Sequence, residues 1–237
     1  MQTPCRLPLW GKICYTGRMI SLVAFLGNYG REYERTRHNV AWQFAESLPF
    51  YSKFSWQQKF RGDYAVTETP VLAEWLAQTG LLTAKDGGTP ALPKGAPEKI
   101  YFLKPLTYMN LSGESIGELA RFFKITPEQI LVVHDELELP LGTVSLKWSG
   151  GLGGHNGLRS TKAVLGTADF WRLRFGLTKP VNRDIADYVL SDFTADERPV
   201  LNAVFAESAA LFAKILLSSD PARLITEWGK KKIVVQA

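Results

Sequence analysis

Met19 to Gly27, "MISLVAFLG", is apolar almost throughout and reads as a buried first strand stopped by a glycine. Val40, Phe44 and Leu48 then recur every four residues, with Ala41 and Ala45 beside them. That spacing predicts a helix over about 37–48 with one core face. Residues 51–65 are aromatic and polar, with weak strand character. "PVLAEWLAQTGLL" reads as a short inserted helix, and 84–99 holds three Gly and three Pro, which predicts a loop.

"IYFLKPL" (100–106) is a strand broken at Pro105. Ser112 is placed to cap a helix whose Ile116, Leu119, Ala120 and Phe123 form one stripe. "TPEQ" (126–129) is a capping box with Pro at the first turn. "ILVVHDEL" is a second buried strand. "TVSLKW" and "WRLRFGL" both alternate, so each has one apolar and one polar face. Between them "SGGLGGHNGL" packs five glycines into ten residues and leads into a helix through about Leu165. Further helices are predicted around 183–190, from about Asp196 to Leu217 with Pro199 in the first turn, and over "PARLITEW". Lys230 to Lys232 read as a solvated tail. The alternation of strands and helices predicts a single α/β domain over 19–237. Its sheet should be twisted, mixed and mostly parallel, with helices on both faces, and a loop region inserted at about 66–99.

Composition narrows this little. The chain has 237 residues, 46% of them hydrophobic, enough for one large core. The net charge of +5 permits an anionic partner without demanding one. Cys5 and Cys14 both lie in the first 20 residues, with no disulfide framework or metal spacing, which points to a reducing, cytoplasmic setting. No run reaches the roughly 18 apolar residues of a membrane span. Residues 1–18, with basic residues, two prolines and no period, read as a poorly ordered extension or an over-long start.

The candidate chemistry clusters at strand ends. Asn28 follows the first strand, Asn110 lies a few residues beyond "IYFL", and Asp135 ends "ILVVHD". Ligands of open α/β sheets sit at such carboxyl ends. The glycine loop lacks the Lys-Ser/Thr of a P-loop and does not fit the dinucleotide fingerprint; it reads as a tight loop presenting His155 and Asn156. Of the three histidines, His134 lies inside an apolar strand and reads as a core residue. His155 reads as a brace for the glycine loop. His38 sits at a helix start dense in polar side chains and suits a general base. No nucleophile elbow and no H-E-x-x-H is present. Enzyme chemistry here would be water attack driven by His and oriented by Asp, with amides holding the substrate. Lys147, Arg172 and Arg174 lie on polar strand faces near the glycine loop, where they could grip phosphates.

"GNYGREYERTRHN", "FLKPLTYMNLSG", "VVHDELELPLG" and "GGLGGHNGLRS", in this order and followed by "FWRLRFGL", resemble the bacterial peptidyl-tRNA hydrolase family over about Ile20 to Trp228, apart from the 66–99 region. The resemblance implies hydrolysis of the ester between a peptide and tRNA, a monomer, and no metal or cofactor. It implies His38 as base, with Asp135 orienting it. Asn28, Asn110 and Asn156 become substrate-positioning amides, Tyr33 and Met109 cleft-wall residues, and Lys147 with Arg174 a tRNA-phosphate clamp. Three positions depart from the family pattern: Tyr29 stands for a Pro, Leu152 for a His, and Ser145 for a second basic clamp residue. A non-catalytic RNA-binding relative on the same fold is the alternative class, and the full set of His, Asp and Asn residues favours the enzyme.

Overall fold

The computed structural model describes residues 19–233. The expected extension over 1–18, with both cysteines, lies outside the described residues. Eight strands form one sheet: β1 (Leu22–Phe25), β2 (Gln57–Lys59), β3 (Gly62–Glu68), β4 (Lys99–Pro105), β5 (Ile130–Glu136), β6 (Thr143–Trp148), β7 (Trp171–Gly176) and β8 (Lys231–Lys232). Their spatial order is β2-β3-β4-β1-β5-β7-β6-β8. The helices are α1 (Val40–Ser47), α2 (Thr69–Gln78), α3 (Ser112–Phe122), α4 (Asn156–Leu165), α5 (Ile185–Val189), α6 (Glu197–Leu216) and α7 (Ile225–Trp228).

The α/β class and the two helical layers are as the sequence predicts, but the sheet is not mostly parallel. Only the central run β4-β1-β5-β7 is parallel; β2-β3, β3-β4, β6-β7 and β6-β8 pair antiparallel. Residues 137–142 between β5 and β6 are too few for a parallel crossover, so the chain turns back and β6 runs against β7. The β2-β3 hairpin was not legible because its turn residues, Phe60 (φ 57°) and Arg61 (φ 52°), adopt left-handed backbone without the Asn or Gly that marks such turns. The tail is also more than solvated: Lys231 and Lys232 form the edge strand beside β6.

One face of the sheet packs Phe25, Leu131, Val133 and Phe175 against α1 and α6. Phe44 of α1 is its hub, with rings of Phe175, Phe205 and Phe212 at 4.9–5.6 Å. Burying each such ring contributes about 1.5–3 kcal/mol. Helix α6 has the length and hydropathy of a membrane span, yet its Leu201, Phe205, Leu211, Phe212 and Ile215 are buried in this core. The other face packs Leu22, Ala24, Leu26 and Val132 against Ile116 and Leu119 of α3 and Leu158 of α4. There Gly113 allows α3 to approach α4: a Cβ at that position would lie 2.2 Å from the Ser160 carbonyl oxygen. Ser112 does not cap α3 but sits within it, its hydroxyl donating to the Met109 carbonyl. The Thr126–Gln129 capping box and the 3-10 turn Pro127–Gln129 form as read. The 66–99 region is only partly loop: its first residues complete β3, and α2 buries Leu72, Ala73 and Leu76.

His134 sits within β5 at 1% exposure, as a core residue. Its Nδ1 lies 2.5 Å from the Asp135 carbonyl oxygen, to which it donates, and its Nε2 has no hydrogen-bond partner among the described residues. Burial first, and then the neighbouring His155, push its pKa well below the usual imidazole range. The folded protein therefore keeps His134 neutral where the unfolded chain takes up a proton, and stability falls as pH drops below the ordinary histidine value of about 6.5. His134→Asn, which retains a short donor, is expected to flatten the decline of the urea midpoint between about pH 7 and pH 5. Parallel declines for the two proteins would show that His134 titrates normally in the fold.

Candidate active site

The site forms at the carboxyl ends of the parallel strands. Asn28 follows β1, Met109 and Asn110 lie in the 3-10 turn Met109–Leu111 beyond β4, and Asp135 is near the end of β5. His38 lies on the 3-10 turn Arg37–Asn39 that leads into α1, and His155 and Asn156 stand at the start of α4. Residues distant in sequence thus converge on one sheet edge.

Asp135 is the centre of the cluster. Its Oδ1 lies 2.8 Å from His38 Nδ1 and 2.9 Å from His155 Nε2. The carboxylate is only 2% exposed. Burial by itself would raise its pKa, but the two imidazoles outweigh it and hold the carboxyl well below the usual range, so Asp135 is ionised. The hydrogen-bond network also assigns the tautomers. His155 Nδ1 accepts from the backbone N–H groups of Gly157 and Leu158, capping α4. Its proton must then sit on Nε2, which donates to Asp135. His38 donates from Nδ1, which leaves its Nε2 lone pair available. The three groups carry metal-ligand atom types within 4.8 Å of one another, and each ring meets the Asp135 carboxylate at hydrogen-bond distance.

The amides are equally constrained. Asn28 Oδ1 accepts from the Met109 backbone N–H at 2.8 Å, so its Nδ2 is the group left to donate. Asn39, fully buried, holds the Asn28 backbone from both sides: its Oδ1 accepts from Asn28 N and its Nδ2 donates to Asn28 O. A cavity of about 580 Å³ opens over this cluster. Asn28, His38, Met109, Asn110, Asp135, His155 and Asn156 all line it, while Tyr33 does not. The far wall is built by Asp184, Ile185, Ala186, Val189 and Leu190 of α5 and its flanks. Two glycines of the loop, Gly153 (φ 57°) and Gly154 (φ 78°), take the left-handed backbone needed to bring that loop to the rim.

The basic residues separate into two kinds. Arg172 is 1% exposed and donates to the carbonyls of Gly150, Gly151 and Ala168, so it ties the glycine loop to the sheet. Arg174 is held by Glu136 at 3.2 Å and by Ser145 Oγ at 2.7 Å. Ser145, where the resemblance expects a second cation, instead orients Arg174. Lys147 has no carboxylate within ion-pair distance among the described residues. Burial first, and then the neighbouring cations Arg174 and Arg172, lower its pKa. Leu152, in place of the expected His, packs against the core beside α3 and α4.

Sequence reasoning missed the second imidazole on Asp135, the bracing role of Asn39 and the α5 wall. Asn39 adjoins His38 in "RHN", and that adjacency was the one available signal. The sequence predicts the helix around 183–190, but a short, mostly exposed segment carries no pattern that marks it as a cavity wall.

The family model described as peptidyl-tRNA hydrolase matches residues 22–234. A peptidyl-tRNA hydrolase of Treponema pallidum (strain Nichols) is 42% identical over 219 residues, covering 91% of this chain and 97% of the relative. One from Desulfitobacterium hafniense (strain Y51) is 42% identical over 199 residues, covering 82% and 94%. The crystal structure of the Acinetobacter baumannii peptidyl-tRNA hydrolase superposes with a TM-score of 0.70 at 29% identity, covering 90% of this chain and 96% of that one. Motifs, fold, and similarity across nearly the whole of both chains agree, and the chain belongs to the peptidyl-tRNA hydrolase family.

Proposed function

We propose that this protein hydrolyses the ester linking a peptide, or an N-blocked amino acid, to the 3′ ribose of tRNA, using a water activated by His38. The observation that carries this reading is the hydrogen bond from His38 Nδ1 to the ionised Asp135. It fixes the ring and leaves Nε2 as the atom that accepts a proton. Nε2 takes that proton from water as the water oxygen attacks the ester carbonyl. The tetrahedral intermediate then collapses, and the ribose oxygen leaves with the proton returned by His38. Asp135 offsets the positive charge that His38 carries between the two transfers.

The amides supply the rest. Asn28 Nδ2 donates into the cavity, where it can bond a carbonyl or the developing oxyanion. Asn110 and Asn156, exposed at the rim, offer donors and acceptors to peptide backbone without reading side chains. An ester has a good enough leaving group for direct attack by water, so no covalent intermediate is needed. Lys147 and Arg174 would meet tRNA phosphates. An incoming phosphate relieves the crowding of like charge at Lys147 and bonds a fork already oriented by Glu136 and Ser145. Tyr33 is not among the residues that line the cleft.

With a purified N-blocked aminoacyl-tRNA as substrate, His38→Ala is expected to lower kcat by at least about a hundredfold, the size of a lost general base. Retained turnover would assign the base elsewhere; no turnover by the unaltered protein together with tight RNA binding would favour the non-catalytic alternative. Lys147→Ala and Arg174→Ala are each expected to weaken tRNA binding and to lower the slope of log K against log salt by about one. An unchanged slope would remove these residues from the phosphate contacts.

A further inference from the structure

We infer that Arg37, the residue before the proposed base, is a positioning residue: its guanidinium fastens the α5 wall of the cavity to the turn that carries His38. Arg37 is 4% exposed, although arginine is seldom buried unless paired. Nη1 is spent on the segment that ends the wall and Nη2 on the first turn of α6, while Nε has no hydrogen-bond partner among the described residues. Nη1 donates to the Ser191 carbonyl at 3.1 Å, to Ser191 Oγ at 2.7 Å and to the Asp192 carbonyl; Nη2 donates to Glu197 Oε2 at 2.6 Å. The guanidinium carbon also lies 4.5 Å from the Tyr188 ring centroid and 5.3 Å from that of Phe193. Backbone contacts repeat the attachment: Arg37 N donates to the Ser191 carbonyl at 3.0 Å, and Thr36 bridges Asp192.

The wall itself has little else to hold it. Residues 181–187 are all exposed, and α5 buries only Val189. Tyr188 ties it to the sheet through a hydrogen bond from its hydroxyl to the Leu177 carbonyl at 2.6 Å. A short helix with so few buried contacts is drawn from the low-stability end of a fold. Arg37 supplies what the helix lacks. It places Ile185, Val189 and Leu190 opposite Asn28 and His38 across the cavity, so wall and base keep a fixed separation. Glu197 anchors the other side of the link from the first turn of α6; burial raises its pKa, but Thr194 N–H and Arg37 outweigh that and keep it ionised. Because the link does not touch the His38–Asp135 contact, its loss affects capture of substrate more than the chemical step.

This inference rests on the hydrolase reading for its kinetic test and stands apart from it for its structural one. Arg37→Gln is expected to raise KM for N-blocked aminoacyl-tRNA about five- to tenfold, to change kcat by less than about threefold, and to leave the pH profile in place. Trypsin cleavage after Arg183 of the substrate-free protein should quicken at least about fivefold at a temperature well below Tm. Glu197→Gln, which leaves the neighbour of His38 untouched, should act in the same direction to a smaller extent, and Arg37→Lys should recover part of the KM. A lower Tm with unchanged KM, or a fall in kcat at constant KM, would overturn the proposal by making Arg37 a general stabiliser or a support of His38 alone. Unchanged proteolysis in both Arg37→Gln and Glu197→Gln would overturn it whether or not the unaltered protein turns over this substrate.

Discussion

A single buried carboxylate organises this site. Asp135 Oδ1 accepts from two imidazoles, and each acceptance fixes something different. Through His38 it sets the tautomer and orientation of the proposed base. Through His155 it sets the start of α4, because the far nitrogen of that ring caps the helix. An unpaired charge at this depth would neutralise itself by taking a proton; the two donors keep it charged instead. The glycine loop, α4, β5 and the turn before α1 therefore meet at one oxygen atom.

The fold brings these pieces together with ordinary means. The parallel centre of the sheet lines up the ends of β1, β4 and β5, and the antiparallel flanks close it off. Aromatic packing around Phe44 fixes α1 beneath the turn that carries His38. The close approach at Gly113 fixes α4 against α3, so that His155 reaches Asp135. Around this core the cation chemistry divides between structure and surface. Arg172 is committed to backbone carbonyls and Arg174 is partly committed to Glu136, which leaves Lys147 as the crowded cation beside the loop.

Much of this was legible from residue pattern. Asn28, His38 and Asp135 sit where strands and a helix start were predicted, and periodicity located α1, α3 and α6 to within a few residues. Sheet order and strand direction were less legible, since hydrophobic pattern does not record which neighbour a strand takes. The β2-β3 hairpin stayed hidden because Phe60 and Arg61 occupy turn positions that usually signal themselves with Gly or Asn. His155 was read as a loop brace, which it is, but its second contact depends on a carboxylate 20 residues away. Contacts of that kind are set by tertiary packing and leave no local trace.

The central claim is that Asp135 fixes the two imidazoles in opposite tautomers. Nitrogen-15 NMR of the histidine side chains at neutral pH measures this most directly. The account predicts that neutral His38 carries its proton on Nδ1 and His155 carries its proton on Nε2. Finding His38 as the Nε2–H tautomer, or His155 protonated on Nδ1, would contradict it.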